Sequence, residues 1–471
     1  MKAGRAKGGR ETNVRRKQRV MSETASEAIH STDTMPEQWE WVERSVWTDN
    51  MLNALETRGE ERKWYSLMDK VYDPSNLHMA YKKVMSNKGA AGIDGIDLKR
   101  YTRKLDHNQD VLHRELRLGS YRPKAVKRVY IDKAGSHQKR PLGIPCVRDR
   151  IAQTALKHVI EPIFENIFKN CSYGFRPGRS CKDALREMDK LLEKGYCHVV
   201  DADIEGFFDH IDHQIMMDRV EELIADRSVL KLIKHFLKQN VMDGMKVWVP
   251  QEGTPQGAVI SPLLANLYLN SLDDVLQEKG HHVIRYADDF VILSRSQSKA
   301  EEALDIVGNW MEQNHLKLHP GKTHVVDMSI SGSEFTFLGY RYSRHTNKRG
   351  QTTLHRFVAC KSLGKIRAVV KEKTPRKHGC SLEVIIADVN RSLRGWFVYF
   401  QHASKLDHVG LDGYVRRRLR RILRKRAKRY QSNGANRQDH KRWPNSFFEA
   451  HGYYSLVTAH DAAVQSLRGT C

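Results

Sequence analysis

The chain has 471 residues, too many for one small hydrophobic core, so two to four structural units are expected. Eighty Lys and Arg against 56 Asp and Glu give a formal charge of +24, which points to a polyanionic partner, most simply nucleic acid. No run approaches ~18 uninterrupted apolar residues, so no membrane span is expected; the basic N-terminus lacks the apolar stretch of a secretory signal; and scattered cysteines without a C-x-x-C pair argue against a zinc site or disulfide framework and fit a reducing cytosol.

In chain order, residues 1–38 read as a basic, flexible tail. Helical patterning begins at Trp39. "NKGAAGIDGIDLKRY" (87–101) is a Gly-rich loop leading into a helix. Residues 122–165 read as a strand, a polar turn around Ala134–Gly135–Ser136, a second strand, and a long helix from Val147. "CHVVDADI" (197–204) is a β-branched strand, and "SPLLANLYLNSLDDVLQ" (261–277) an amphipathic helix. "VIRYADDFVILS" (283–294) divides into two strand arms around adjacent acids. A helix follows at 298–314, then a strand with alternating aromatics at 333–343. Beyond 350 the chain turns helical and very basic. This order predicts an α+β core domain between accessory domains.

Adjacent carboxylates are unusual in a strand, because Asp is depleted there and like charges repel. If Val283–Tyr286 and Phe290–Leu293 pair, Asp288 and Asp289 sit at a tight turn and can face a cleft. Their charge is then tolerable beside metal cations. "VVDADIEGFFDHIDH" (199–213) supplies Asp201, Asp203, Glu205, Asp209 and Asp212, with Asp203 at the strand's end. Asp203 beside Asp288 and Asp289 would hold two divalent cations ~4 Å apart, an arrangement suited to phosphoryl transfer. Oxygen ligands without a Cys or His cluster favour Mg²⁺ over zinc. A solvated surface turn is the plainer alternative; the apolar flanks and the earlier acid-ended strand speak against it.

With these residues in view, the chain resembles the reverse transcriptases of bacterial group II introns, which also act as splicing maturases. The blocks are GAAGIDG (89–95), RPLGIP (140–145) with DRIAQTAL (149–156), SYGFRPGRS (172–180), DIEGFFDHIDH (203–213), GTPQGAVISPLLANLYLN (253–270), YADD (286–289), LKLHPGKTHVVD (316–327) and FTFLGYRY (335–342). YADD alone is moderately specific; the ordered set is very specific.

The resemblance implies an α+β right-hand polymerase with fingers, an antiparallel palm and a helical thumb. Its expected bounds are fingers with an N-terminal extension at 39–195, palm at 196–345, thumb or maturase domain at 346–430 and a small DNA-binding-like region at 431–471. Asp203, Asp288 and Asp289 are implied as the catalytic triad, with the Ile204 carbonyl completing the site for two Mg²⁺. Phe208 takes the steric-gate position that selects dNTPs, with Phe207 competing for that role. Lys133 and Arg140 would hold the triphosphate. Gln256 would lie near the nucleotide sugar, with Gly253 and Gly257 permitting close approach, and Lys322 would face the triphosphate.

"LRGWFVYFQHA" (393–403) resembles the thumb signature, although Trp396, Tyr399 and Phe400 at i, i+3, i+4 fit a core stripe better than a stacking platform. Ten Arg or Lys between Arg416 and Arg429 repel one another unless phosphates neutralise them. Arg416, Arg417, Arg420, Arg421, Arg424, Lys425 and Lys428 are therefore expected to face RNA. The chain lacks the paired cysteines of an HNH endonuclease, and His451 and His460 read as structural, so no target-DNA cleavage is expected. The implied partners are intron RNA, an RNA template with DNA primer, dNTPs and target DNA, with no membrane; a dimer is compatible. The implied location is the bacterial cytoplasm, at the nucleoid when DNA-bound. Two alternatives stay open: a maturase without polymerase activity, and a domesticated reverse transcriptase in phage defence or diversity generation.

Overall fold

The computed structural model describes residues 39–57, 63–132, 139–346, 352–427 and 437–468. The expected tail, the Ala134–Gly135–Ser136 turn, Lys133, Lys428 and Arg429 lie outside them. The first part contains α1 (Asp49–Thr57), α2 (Met68–Tyr72), α3 (Pro74–Asn87), α4 (Leu98–Thr102), α5 (Leu105–Arg117), β1 (Val126–Asp132), β2 (Lys139–Ile144), α6 (Val147–Glu165) and α7 (Cys181–Glu193). Next come β3 (His198–Asp203), α8 (Phe207–His210), α9 (His213–Leu223), α10 (Arg227–Leu237), β4 (Val241–Asp243), β5 (Lys246–Trp248), α11 (Ser261–Glu278), β6 (His282–Tyr286), β7 (Asp289–Ser294), α12 (Gln297–Gln313) and β8 (His324–Asp327). The last part has β9 (Glu334–Phe337), β10 (Tyr340–Thr346), β11 (Thr352–Val358), α13 (Cys360–Lys373), α14 (Leu382–Phe400), α15 (Lys405–Arg426), α16 (Arg437–Arg442), α17 (Asn445–Ala450) and α18 (Leu456–Arg468).

Three sheets result, with orders β2-β1-β4-β5, β6-β7-β3-β8 and β11-β10-β9. The central sheet, β6-β7-β3-β8, is antiparallel and covered on both faces. Side chains alternate across it. Val200, Ala202, Phe290 and Ile292 enter a large core with α2, α3, α6 and α9–α12. Val199, Val291 and Leu293 enter a second core with α7, β9 and β10. Burial on both faces explains why "FVIL" is a continuous apolar run. A third core joins α13–α15 to Trp443, Phe448, Tyr453 and Leu456. Trp396 and Tyr399 are partly buried against these cores and Phe400 is buried, as the core-stripe reading expects. Among the described residues no helix is long and apolar enough to cross a membrane.

One expected strand, 333–343, is in fact a hairpin. Leu338 and Gly339 both take positive φ, 48° and 77°, and turn β9 back onto β10. Two central residues at positive φ make a tight hairpin turn; the aromatic alternation on either side hid it. The chain beyond 350 likewise first adds β11 to this sheet before turning helical.

The central hairpin rests on a buried charge pair. Arg285 and Asp273 are both fully buried and lie 2.5 Å apart at closest. The Arg285 guanidinium also donates to Asn266 Oδ1 at 2.9 Å and to the Ala287 carbonyl at 3.1 Å. Asn266 Nδ2 in turn donates to the Gly174 carbonyl at 2.7 Å. One network thus joins α11, the 171–178 loop and the turn between β6 and β7. Removing one partner strands the other charge without water. Asp273→Ala is expected to lose about 3–5 kcal/mol in urea unfolding, whereas Asp273→Leu with Arg285→Met recovers most of that loss. Equal losses in the two proteins would contradict this account.

Candidate active site

β3 and β7 pair so that Asp203 stands directly opposite Asp289. Asp201, two residues back, shares that face by the strand's alternation. Asp288 occupies the turn with Ala287, whose φ is 61°. The predicted triad is therefore brought together, with Asp289 as the first residue of β7 rather than a turn residue. The grouping shows in the electrostatics. Burial pushes the Asp289 carboxyl up to about 7, with Asp201, Asp288 and Asp203 adding repulsion. Burial also raises Asp201, to about 6, with Asp203 adding to the rise and His324 opposing it. Asp288 is raised by burial and by Asp203, and lowered by Arg140. Such a cluster favours cations.

Lys322 supplies one cation. Its Nζ donates to Asp203 Oδ2 at 2.6 Å, and both side chains are about half exposed. Lys322, expected to face a triphosphate, here pairs with a predicted metal ligand. Among the described residues no group of three or more His, Cys, Asp or Glu side chains is arranged to hold an ion as it stands. Asp203, Asp288 and Asp289 nonetheless fit a hard cation by donor chemistry, because their charges are close, partly desolvated and only partly neutralised. Ile204 is buried and bridges to Leu318. The other acids of the 199–213 segment are elsewhere engaged or exposed: Asp212 caps α9 and contacts His315 at 3.0 Å, and Glu205 and Asp209 are exposed.

The walls come from distant segments. Arg140 on β2 donates through Nε to Gln256 Oε1 at 2.8 Å, so two predicted nucleotide contacts meet. The Gln256 loop is pressed onto its neighbours: the Gly143 N–H donates to the Gln256 carbonyl at 2.6 Å. A Cβ at Gly257 would lie 2.6 Å from the Gly143 carbonyl, and one at Gly253 would lie 2.6 Å from that of Asp209. Of the adjacent phenylalanines, Phe207 is buried against Tyr268, while Phe208 is half-buried and lines a cavity of about 440 Å³ with Arg128, Trp248 and Thr254. The thumb-like signature reaches the turn between β9 and β10: Tyr399 OH donates to the Leu338 carbonyl at 2.9 Å, and the Leu338 backbone opposes the rise of the Asp289 carboxyl.

The basic helix α15 corrects the expected RNA face. Arg420 is buried: Nε donates to the Trp443 carbonyl at 2.9 Å and Nη2 to Asn445 Oδ1 at 3.0 Å. Arg416 lies 3.7 Å from Asp412, and Arg424 lies 3.3 Å from Asp439; both are mostly buried. Arg418 donates to the carbonyls of Lys371 and Thr374 at the end of α13, where a helix end favours a cation. Charge density alone could not separate these clamps from surface groups. Arg417 and Arg421 are exposed and Lys425 is half-buried. His451 bonds the Phe447 carbonyl and His460 packs on His408.

Sequence reasoning missed the Arg285–Asp273–Asn266 support. Its available signals were a lone Arg inside an apolar strand and polar residues on the inner face of α11.

Comparison with known proteins adds an independent line. Residues 131–342 match the family model "Reverse transcriptase (RNA-dependent DNA polymerase)" and residues 363–443 match "Group II intron, maturase-specific domain". The chain is 32% identical over 326 residues to protein YkfC of Escherichia coli (strain K12), covering 60% of this chain and 84% of that protein. It is 38% identical over 214 residues to the group II intron-encoded protein LtrA of Lactococcus lactis subsp. cremoris, covering 44% of this chain and 34% of LtrA. It therefore spans about a third of LtrA. A solved structure, "Partial Cas6-RT-Cas1--Cas2 complex", is similar at 28% identity with a TM-score of 0.35, over 53% of this chain and 41% of that one.

The raised Asp289 fixes a sign for pH dependence. Between about pH 4 and 7 the folded carboxyl keeps a proton that the unfolded one has lost, so stability falls as pH rises. In buffer without divalent cations, Asp289→Asn should lack this term. Its unfolding free energy should gain on wild type by on the order of 2 kcal/mol between pH 5 and 7. Parallel pH profiles would show that the fold does not resist this charge.

Proposed function

The chain belongs to the group II intron reverse transcriptases that carry a maturase-specific domain, and on that premise we propose that it copies RNA into DNA and, separately, binds its intron RNA as a splicing maturase. The observation that carries the polymerase reading is the register pair Asp203–Asp289, with Asp288 and Asp201 beside it and the charge of Arg140, which holds Gln256, acting on Asp288.

In this reading the sheet β6-β7-β3-β8 is the palm, α1–α7 with β1 and β2 are the fingers, and α13–α15 are the thumb. The expected boundaries near 195, 345 and 430 are kept as a proposal, with 431–471 as a small DNA-binding-like region. Asp203, Asp288, Asp289 and the Ile204 carbonyl would hold two Mg²⁺ ions, with Lys322 yielding Asp203 to them. When bound, these ions supply an acidified primer hydroxyl and neutralise charge on the leaving phosphates. The primer 3′-oxygen bonds to the α-phosphorus of a dNTP as the bond to pyrophosphate breaks. Arg140 and Lys133 offer a fork-shaped donor and a point charge to the triphosphate. Gln256, held by Arg140 and the Gly143 amide, borders the sugar. Phe208 rather than Phe207 blocks a 2′-hydroxyl, because Phe207 is spent in the core.

For the maturase role, exposed Arg417 and Arg421 with Lys425 are the groups on α15 left to meet phosphates. Arg416, Arg420 and Arg424 instead hold the helix in its bundle. Intron RNA, RNA template with DNA primer, dNTPs and target DNA are the proposed partners. The family match weighs against the phage-defence alternative, and the intact acid set against a maturase without polymerase activity.

Primer extension on an RNA template with dNTPs and Mg²⁺ tests the assignment. Asp288→Ala should abolish cDNA synthesis and spare intron splicing; equal loss of both would join the two functions in one site. Phe208→Ala should raise rNTP use relative to dNTP on the order of 10–100-fold. Unchanged sugar selectivity would remove Phe208 from the gate.

A further inference from the structure

The loop from Cys171 to Gly178 is laid along β6. The Arg285 N–H donates to the Cys171 carbonyl at 2.9 Å, and the Tyr173 N–H to the Arg285 carbonyl at 2.8 Å. At Gly174 the loop touches the catalytic turn so closely that a Cβ would lie 2.4 Å from the Ala287 nitrogen. The next residue, Phe175, takes φ 58°. That conformation is unfavourable for a bulky side chain and free to glycine. Burial does not compensate for it, since Phe175 is 55% exposed. The ring is held over the site's edge, its centroid 6.3 Å from that of Tyr286 in the YADD turn.

The conformation is imposed by its neighbour. Arg176 is buried, with its guanidinium on the Glu165 carboxylate and on the carbonyls of Lys169, Ser172 and Phe168. A groove of about 640 Å³ opens beside the ring, lined in part by Lys82, Lys83, Lys157 and Val259. Lys157 is paired with Glu161 at 3.1 Å. Lys82 and Lys83 are exposed and no carboxylate among the described residues forms an ion pair with them, although Glu43 and Glu161 line the same groove and Glu161 feels the charge of Lys83. An aromatic face beside unpaired cations matches a nucleotide, a base for the ring and phosphates for the ammonium groups. A strained residue that buries little is retained for contact rather than for the fold.

We infer that Phe175 is a stacking platform for an unpaired nucleobase of the RNA template, with Lys82 and Lys83 receiving its phosphates. This rests on the reading of the hairpin as a polymerase site. Bases inside a duplex have both faces covered, and the primer is paired to its 3′ end. The strand with a free base beside the hairpin is therefore the template.

The test uses the full chain and two RNA–DNA hybrids, one with an unpaired template overhang and one blunt. Fluorescence anisotropy gives the affinity of wild type, F175A, F175G and F175Y for each. F175A and F175G should bind the overhang hybrid about tenfold more weakly, with little change on the blunt one, while F175Y holds near wild type. F175G should melt no lower than wild type, because glycine relieves the positive-φ strain. The inference is overturned by unchanged overhang affinity in F175A, by equal losses on both hybrids, or by a melting temperature that falls in step with affinity. Primer extension by wild type on the overhang hybrid keeps the two readings apart: no extension overturns the polymerase assignment, whereas the affinity ratio alone decides Phe175.

Discussion

The site depends on the Arg285–Asp273 pair beneath it. A guanidinium with no water around it must satisfy its donors within the protein. Here it does so with Asp273, Asn266 and the Ala287 carbonyl. Each of these fixes something else. Asp273 and Asn266 set α11 against the hairpin, Asn266 sets the Gly174 loop, and Ala287 is held at the positive φ that turns Asp288 and Asp289 into the cleft. A non-glycine residue stays in that conformation only where its surroundings overdetermine it. Hydrogen bonding beneath the turn thus converts a strained backbone into a defined position for two carboxylates.

Above that support, charge is concentrated and only partly neutralised. Burial and mutual repulsion raise Asp201, Asp288 and Asp289 together, while Lys322 and Arg140 oppose the build-up from two separate segments. The cluster therefore couples parts of the chain far apart in sequence: β2, β3, the β6–β7 turn and the loop before β8. The tight Leu338–Gly339 turn adds α14 to this group through Tyr399.

The basic C-terminal helix shows that composition does not assign roles to individual arginines. Arg420 and Arg418 satisfy backbone carbonyls at the ends of neighbouring segments, and Arg416 and Arg424 find carboxylates. Arg420 also lies over the Phe448 ring and Arg416 over the Tyr453 ring, both residues of the third core. The bundle is built partly by guanidinium clamps, and of the six described cations expected to face RNA, Arg417, Arg421 and Lys425 remain open to a polyanion.

The sequence by itself determined many of the elements and the residue types that meet at the candidate site. The strand at 198–203, the arms around YADD, the helices at 147–165 and 261–278, and the acids Asp203, Asp288 and Asp289 were all legible. Each is written locally, in periodicity, turn residues or motif order. What only the tertiary structure decided was pairing and burial. It turned 333–343 into a hairpin, set Asp203 opposite Asp289, put Phe207 in the core and Phe208 on a cavity, and withdrew Arg420 from the surface. It also produced the Arg285–Asp273 support and the strained, exposed Phe175. These outcomes rest on contacts between residues tens to hundreds of positions apart. Such contacts are governed by desolvation and close packing, which no local pattern of residue types contains.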